Sequence, residues 1–367
     1  MLLNRFFRFK VGIVFFLYQF ILFAGDDSFK INDLKLYSLK TKEKYINSFN
    51  TGIKVSAGYT DHYNKWLYSV IDLDFYAEKG STSGLFIEKY EASSEINLKN
   101  AFLSLNVEKN ALFEIGIIAQ SNGWKSFLSN KTSFPGSSQR VYIEKESYLF
   151  ALQFEQFLLE VSSEAANYRP AHETFFFSQR VDAKYRVLNR FDIGTQFGLF
   201  NFSEFSSLMA HKSDFLGNTT IGEGEHNSRF RYDFKGYFGN LFVESNNMIK
   251  NLNSKFSMLF LKNTEAVLNR NLIARFVLHQ EVYSDSNLTL SVFTELFRYE
   301  SDAFPAYYAS KNYGFLNRKG CKIGVALAIN NNLKITGEYV MAKPIMKNII
   351  QTKLDSFYIS LEKSDVF

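Results

Sequence analysis

Stretches in which apolar and polar side chains alternate, each followed by a polar break, recur along most of this 367-residue chain. The clearest runs from Phe175 to Val187, where Arg180 and Asp182 fall on one side and Val181 on the other. A period of two places successive side chains on opposite faces of a β-strand, whereas a helix would scatter these charges around its circumference. The alternation recurs at 148–154, 193–199, 229–235, 272–282 and 288–296. The pattern therefore predicts an all-β chain.

Composition agrees with strands and excludes several classes of site. Forty Phe and 21 Tyr stand beside only four Pro, which favours pleated, half-buried surfaces. The 42 basic and 37 acidic residues are nearly balanced, so charge gives no reason to expect a nucleic-acid partner. One cysteine, Cys321, excludes an intramolecular disulfide and a multi-cysteine metal site. We expect no metal and no cofactor.

The first 25 residues have the order of a secretory signal peptide. A basic front precedes an almost wholly apolar stretch over 11–23, and the small residues Ala24 and Gly25 follow. An uncleaved anchor helix is the alternative, although the apolar stretch is shorter than the roughly 20 residues that span a bilayer. No later window is long and apolar enough to cross a membrane as a helix, so any crossing must use a closed barrel.

The polar breaks fall into two size classes. The short ones are 106–110, 189–190, 284–287 and 330–332, and the long ones are 120–140, 164–174, 203–226 and 301–319. Barrels of bacterial outer membranes have short periplasmic turns at one end and long external loops at the other. We therefore predict a closed antiparallel transmembrane β-barrel of about 16 strands, with 18 as the alternative, and expect one segment between about 226 and 300 to be misassigned as a strand.

The last segment alternates Phe357, Ile359 and Leu361 with polar residues, and the chain ends in Phe367. It resembles the bacterial outer-membrane barrel family, whose last strand commonly ends in Phe as an assembly signal. On this interpretation residues 1–25 are a signal peptide for Sec export, 26–50 a periplasmic lead-in, and 51–367 the barrel.

A second resemblance lies at 96–120, which is similar to a hairpin of trimeric general and phosphate-type porins. The matching residues are Ala101–Phe102 and Gly116–Gln120. The resemblance implies that the following segment, 120–140, folds inward as a constriction loop. Its candidate residues are Trp124, Lys125, Lys131 and Arg140.

In the segments with the clearest alternation, the charged side chains fall on the face opposite the apolar one. So many inward charges need water, and a barrel of 16 strands is wide enough to hold an aqueous channel. The candidate pore-lining residues are Arg180, Asp182, Lys184, Arg186, Arg229, Arg231, Asp233, Lys235, Arg275 and Glu281. Their basic members suggest a modest anion preference, and the alternative is a ladder of ion pairs that only stabilises the wall.

These features together favour a porin-like outer-membrane channel for passive diffusion of small hydrophilic solutes or ions. The expected partners are outer-membrane lipid, the solutes, the barrel assembly machinery and, as an open option, two further copies in a homotrimer. A surface anchor or adhesin and a secreted β-sandwich are alternatives. An outer-membrane lipid hydrolase, the least favoured alternative, could use His279 with Ser291 or Ser257, but the chain has none of the common catalytic motifs, and we expect no enzyme.

Overall fold

The computed structural model describes residues 29–84, 92, 94–107, 110–119, 133–159, 174–187, 190–203, 205–249, 252–283, 288–310, 313–330, 332–347 and 351–364. Within them the strands are β1 (Phe29–Glu43), β2 (Ile46–His62), β3 (Leu67–Gly84), β4 (Ser94–Val107), β5 (Ala111–Ala119), β6 (Ser133–Lys145), β7 (Tyr148–Leu158), β8 (Phe175–Val187), β9 (Phe191–Phe202), β10 (Thr220–Ile221), β11 (Arg229–Phe230), β12 (Phe234–Ile249), β13 (Leu252–Asn263), β14 (Arg270–Tyr283), β15 (Leu288–Tyr299), β16 (Arg318–Ile329), β17 (Leu333–Pro344) and β18 (Leu354–Ser364). The α-helices are α1 (Ser207–Asp214) and α2 (Gly224–Asn227).

Sixteen of these strands form one closed antiparallel barrel. Neighbours along the chain pair with each other throughout, β9 pairs with β12, and β1 pairs with β18 to close the ring. In that closing pair Leu36 lies opposite Leu361, so the predicted last strand occupies its expected place. The predicted barrel of 16 strands is confirmed. Phe367 itself lies outside the described residues.

The boundary of the barrel differs from the sequence prediction at the N-terminal end. Residues 26–50 were expected to be a periplasmic lead-in, but 29–50 contain β1 and the start of β2. The prediction was wrong because β1 has few outward apolar residues, and a barrel strand gives a weak signal by itself. The predicted signal peptide, 1–25, lies outside the described residues.

Most barrel strands have an exposed, apolar outer face and an inner face that is polar or buried. Phe150, Phe197 and Leu296 point outward and are 44, 49 and 62% exposed. Asp74 and Ser178, which point inward, are buried. This arrangement, polar or buried inside and apolar outside, is that of a barrel surrounded by lipid.

The connections also differ between the two ends. The strand ends joined by the short connections, as at the turn 146–147, lie at the same end as the first residue of β1 and the last residue of β18. The long connections between β9 and β12 and between β15 and β16 lie at the opposite end. Among the described residues, no helix is both long and apolar enough to span a bilayer.

The hairpin noted in the sequence forms between β4 and β5. Phe102 lies opposite Gly116, and Ala101 lies opposite Ile117. Gly116 has φ +140°, and a Cβ there would lie 2.2 Å from the carbonyl oxygen of Ala101. Any other residue at this position would be strained and would push the two strands apart.

Candidate functional site

The interior of the barrel carries a group of charged side chains on β8 and β9. The Lys184 ammonium lies 2.6 Å and the Arg186 guanidinium 2.9 Å from the Asp192 carboxylate. The two cationic side chains remain 39% and 45% exposed although they point into a closed barrel. Arg180, further from the turn, is fully covered and pairs with Asp182 at 3.0 Å. The lumen is therefore open to solvent near the short turns and closely packed further along these strands.

The adjoining wall, β12 to β15, holds a second set of paired charges. Arg275 on β14 lies 3.3 Å from Glu295 on β15, and Lys255 on β13 lies 2.9 Å from Glu244 on β12. The Tyr313 hydroxyl donates to Glu295 at 2.6 Å. Gln196 and Asn240 join Lys255, Arg275 and Glu295 around a recess of about 260 Å³ in this wall. These contacts form a ladder of ion pairs. Such a ladder was the alternative to an anion-selective lining in the sequence analysis.

Four of the predicted pore-lining residues do not lie on the inner face of the barrel wall. Arg229 is in β11, which pairs only with β10 in a small separate sheet, and Arg231 and Asp233 follow it in the connection before β12. Lys235 is in β12 but on its outer face, where it pairs with Glu265 at 3.1 Å. The prediction of a strand over 229–235 was wrong. Phe230 and Phe234 both pack against Phe205, so their apolar side chains join the connection to the barrel wall and do not mark one face of a single strand.

The remaining candidate residues either lie in the barrel wall or belong to a loop outside the described residues. Glu281 lies on the inner side of β14 near its end, opposite Thr289. Arg140 is a wall residue of β6, opposite Gln153, and not part of a constriction loop. The expected loop is shorter than predicted because β6 begins at Ser133. Trp124, Lys125 and Lys131 lie outside the described residues.

Two other long connections fold into the barrel at the end opposite the short turns, and we call their described residues the cap: 203, 205–233, 300–310 and 313–317. Asn218 fastens one to the other. Its side-chain amide donates to the carbonyls of Ser301 at 2.6 Å and Phe304 at 3.1 Å, and its oxygen accepts from the backbone N–H of Ala306 at 2.6 Å. Asn218 is buried, so these three bonds replace contacts with water.

A second fastening joins Asp302 to Thr219. The Asp302 carboxylate accepts from the Thr219 backbone N–H at 2.7 Å and from its hydroxyl at 2.8 Å. Burial raises the pKa of Asp302 above its ordinary value, although the hydrogen bonds from Thr219 oppose the shift. The two connections therefore dock as one unit through backbone and side-chain contacts.

The cap reaches across the lumen. Tyr308, which belongs to the connection between β15 and β16, donates its hydroxyl to the Leu159 carbonyl at 3.2 Å just after β7. Its ring meets Phe134 of β6 edge-on, with centroids 5.4 Å apart. On the near wall, Tyr313 packs against Phe297 and Tyr299 at 4.9 and 5.2 Å. These contacts belong to a continuous apolar cluster that includes inward residues of most barrel strands.

A buried ion pair holds the end of the cap. Arg318, the first residue of β16, donates to Glu43, the last residue of β1, at 2.8 Å, and also to the carbonyls of Gly314 and Thr352. Both side chains of the ion pair are 1% exposed. The backbone just before Arg318 is unusual, because Phe315 has φ 68° and Asn317 has φ 56°. Such conformations persist only where surrounding contacts fix them.

One pair considered for hydrolytic chemistry is brought together. His279 Nδ1 lies 2.7 Å from the Ser291 hydroxyl on the inner face of β14 and β15. Ser257 lies opposite Arg275 instead. Among the described residues no carboxylate is hydrogen-bonded to the His279 ring, so the orienting third member of a catalytic triad has no counterpart there.

The architecture can be compared with solved structures. The chain is similar to the high-pH structure of Pseudomonas putida OprB, with a TM-score of 0.60 and 9% identity over 92% of this chain and 94% of that one.

The chain has the fold of bacterial porins. The low-pH structure of the same protein gives a TM-score of 0.53 at 6% identity, covering 92% of this chain and 93% of that one. Salmonella typhi OmpF in complex with daunomycin gives 0.50 at 8% identity, covering 91% and 97%. No family model and no curated protein matches the sequence. The porin fold, with 16 strands and a lumen containing charged side chains, is thus recognisable at identities where only architecture is shared.

Proposed function

We propose that this protein is an outer-membrane channel for passive diffusion of small hydrophilic solutes or ions. The observation that carries the proposal is the exposure of Lys184, Arg186 and Arg275, which remain 39 to 45% exposed while pointing into a closed barrel. A dry, packed interior would bury such groups at a large cost in free energy. Water beside them makes the periplasmic half of the lumen a polar path.

The cap sets the narrow part of that path. It fills part of the lumen at the end of the long connections, where Tyr308 extends from β15 and β16 to the wall at β6 and β7. Solutes must pass beside it or wait for it to move. We therefore expect a conductance below that of an uncapped barrel of the same strand number.

The test is single-channel recording of the purified protein in planar bilayers, beside a variant in which Asn218 and Tyr308 are replaced by alanine. Step-like currents from the wild type, larger in the variant, are the expected result. Silence from both proteins, with each folded and inserted, would contradict transport. A silent wild type and a conducting variant would instead indicate a channel that needs the cap to open.

A surface anchor or adhesin is the second candidate, and the apolar cluster around Tyr308 and Phe304 favours it, because dry packing across a lumen hinders passage. The bilayer recordings separate the two, since an anchor stays silent even when the cap is loosened. Binding of the cells to host or matrix surfaces would then be the activity to measure.

Location and assembly complete the proposal. The predicted signal peptide, 1–25, would direct export through Sec, and the barrel assembly machinery would insert the chain into the outer membrane. A homotrimer is the assembly we would test first. Fractionation of the membranes, heat-dependent migration in gels and chemical cross-linking examine these three points separately.

A further inference from the structure

The outer surface of the barrel carries a row of basic side chains at the end where the long connections lie. Its members are in five consecutive strands, β13 to β17, and all project from the face that also carries the apolar residues. They are Lys262, Arg270, Arg298, Lys319 and Lys343, and we call them the basic belt. Their position on the outer face removes them from any role in lining the lumen.

The strand register places these cations side by side. Lys262 lies directly opposite Arg270, Arg298 opposite Lys319, and Lys319 opposite Lys343. Like charges directly opposite each other on one face of a sheet are destabilising. The belt contains three such pairs, two of which share Lys319, and negative charge beside them would stabilise it.

The chain itself supplies little of that charge. Arg298 pairs with Glu300 at 2.7 Å. Within the described part of the chain, Lys262, Arg270, Lys319 and Lys343 have no carboxylate at ion-pair distance, although Lys262 lies 5.8 Å from the centre of the Tyr237 ring. The belt is therefore a row of cations, most of them lacking a protein counter-ion.

The belt lies at the border of the apolar outer band. Next to it on the same face are Leu272, Leu296 and Met341, which are 40, 62 and 36% exposed. A strand surface that changes from exposed aliphatic residues to cations matches the depth at which acyl chains give way to headgroups. Cations at this depth are much less costly than at the bilayer midplane.

The belt also contains a recess of about 670 Å³ on the outer face. Lys262, Arg270 and Arg298 line it together with Tyr237, Phe260 and the Glu300 carboxylate, which is already paired with Arg298. Guanidinium and ammonium groups donate charge-assisted hydrogen bonds to phosphate oxygens, and a ring beside them suits the first carbons of a lipid.

We propose that the basic belt binds the phosphate-bearing headgroups of anionic lipids in the leaflet at the long-connection end, with the recess holding one of them. The inference rests on the proposed membrane location and is independent of whether the lumen conducts. The lipids supply the missing negative charge and fix the depth of that side of the barrel.

The test is native mass spectrometry of the folded full chain in detergent, titrated with dioleoyl phosphatidylglycerol or dioleoyl phosphatidylcholine. We expect the wild type to retain phosphatidylglycerol in preference to phosphatidylcholine. In K319Q/K343Q, retention of phosphatidylglycerol should fall by at least roughly fivefold, since one surface cation contributes about that factor near an anionic membrane. The variant K262Q/R270Q should show the same loss at the recess.

The matched control is K42Q/K353Q, which removes the same charge from the same end of the barrel. Lys42 lies opposite Asp355, and Lys353 is 3.2 Å from it, so these cations already have a carboxylate neighbour. Equal retention of the two lipids by the wild type, or an equal loss in the control and the belt variants, would overturn the proposal. Inorganic phosphate that displaces phosphatidylglycerol at similar concentration would overturn the assignment to a lipid. Heat-dependent gel migration confirms that each variant is folded.

Discussion

Arg318 and Glu43 form a buried ion pair at 2.8 Å between the beginning of β16 and the end of β1, 275 positions apart in the sequence. Removal of one member leaves a buried charge without its partner, which costs about 3 to 5 kcal/mol in general. We expect R318M to unfold at lower urea concentration in detergent, and E43L/R318M to recover part of the loss. Equal urea midpoints for R318M and the wild type would contradict a stabilising pair.

Loosening the cap should change the currents without opening the barrel. N218A removes three hydrogen bonds between the two connections, each contributing about 0.5 to 1.5 kcal/mol net. We expect larger and noisier single-channel currents at unchanged strand content by circular dichroism. N201A, an exposed residue on the outer side of β9, is the control and should leave the currents as they are. Identical recordings from N218A and the wild type would mean that the cap does not limit flow.

The paired lumen charges predict weak ion selectivity, and Asp192 is the residue whose removal changes it most. Asp192 neutralises both Lys184 and Arg186, so D192N leaves two exposed cations unpaired. We expect the chloride-to-potassium permeability ratio to rise by about twofold, corresponding to a few tenths of a kcal/mol for a solvent-screened pair. The reversal potential in a potassium chloride gradient measures it. D355N, on the outer face, is the control, and an equal shift there would discount a local effect.

The docking of the cap should depend on pH through Asp302. Its pKa is raised in the docked cap, whereas an undocked aspartate has the ordinary value of 3.8. The docked form therefore binds the proton more tightly, gains stability as the pH falls through the raised pKa, and has the full gain below 3.8. That stability is lost again as the pH rises through the raised value.

We accordingly expect conductance to decrease on acidification, and D302N to lack this component because it cannot ionise. Recordings of both proteins across the acidic range give two slopes of conductance against pH. The contribution of the other lumen carboxylates is the same in both proteins and cancels in the difference. Parallel profiles for D302N and the wild type would remove Asp302 from the pH response.

Most strands of the barrel could be predicted from the sequence. In Phe175–Val187 every second residue faces lipid, so the physical requirement of the bilayer appears directly as a period of two. The same rule misled at 229–235, where Phe230 and Phe234 pack against Phe205 in the cap. β1 was missed because Lys40 and Lys42 stand where apolar outward residues are usual.

The cap could not be predicted, because its contacts join residues that are distant in the sequence. Tyr308 and Leu159 are 149 positions apart, and Asn218 lies 88 positions from Ala306. No local pattern encodes such pairings. Asp192 and Glu295, which neutralise Lys184 and Arg275, were likewise missed. The sequence around a single carboxylate does not indicate which cation on a neighbouring strand it will pair with.

The pairing of β1 with β18 has a consequence for biogenesis. The hydrogen-bonding edge of β1 toward β18 stays vacant until β18 has been made and delivered, so ring closure must follow the synthesis of the strands between them. Until then the two unpaired edges of the sheet expose backbone N–H and C=O groups that can pair with strands of other chains. A cell that makes this protein must therefore keep a nearly complete but still open sheet apart from its neighbours, and loss of only the last eleven residues of strand would turn a closed barrel into an aggregation-prone ribbon.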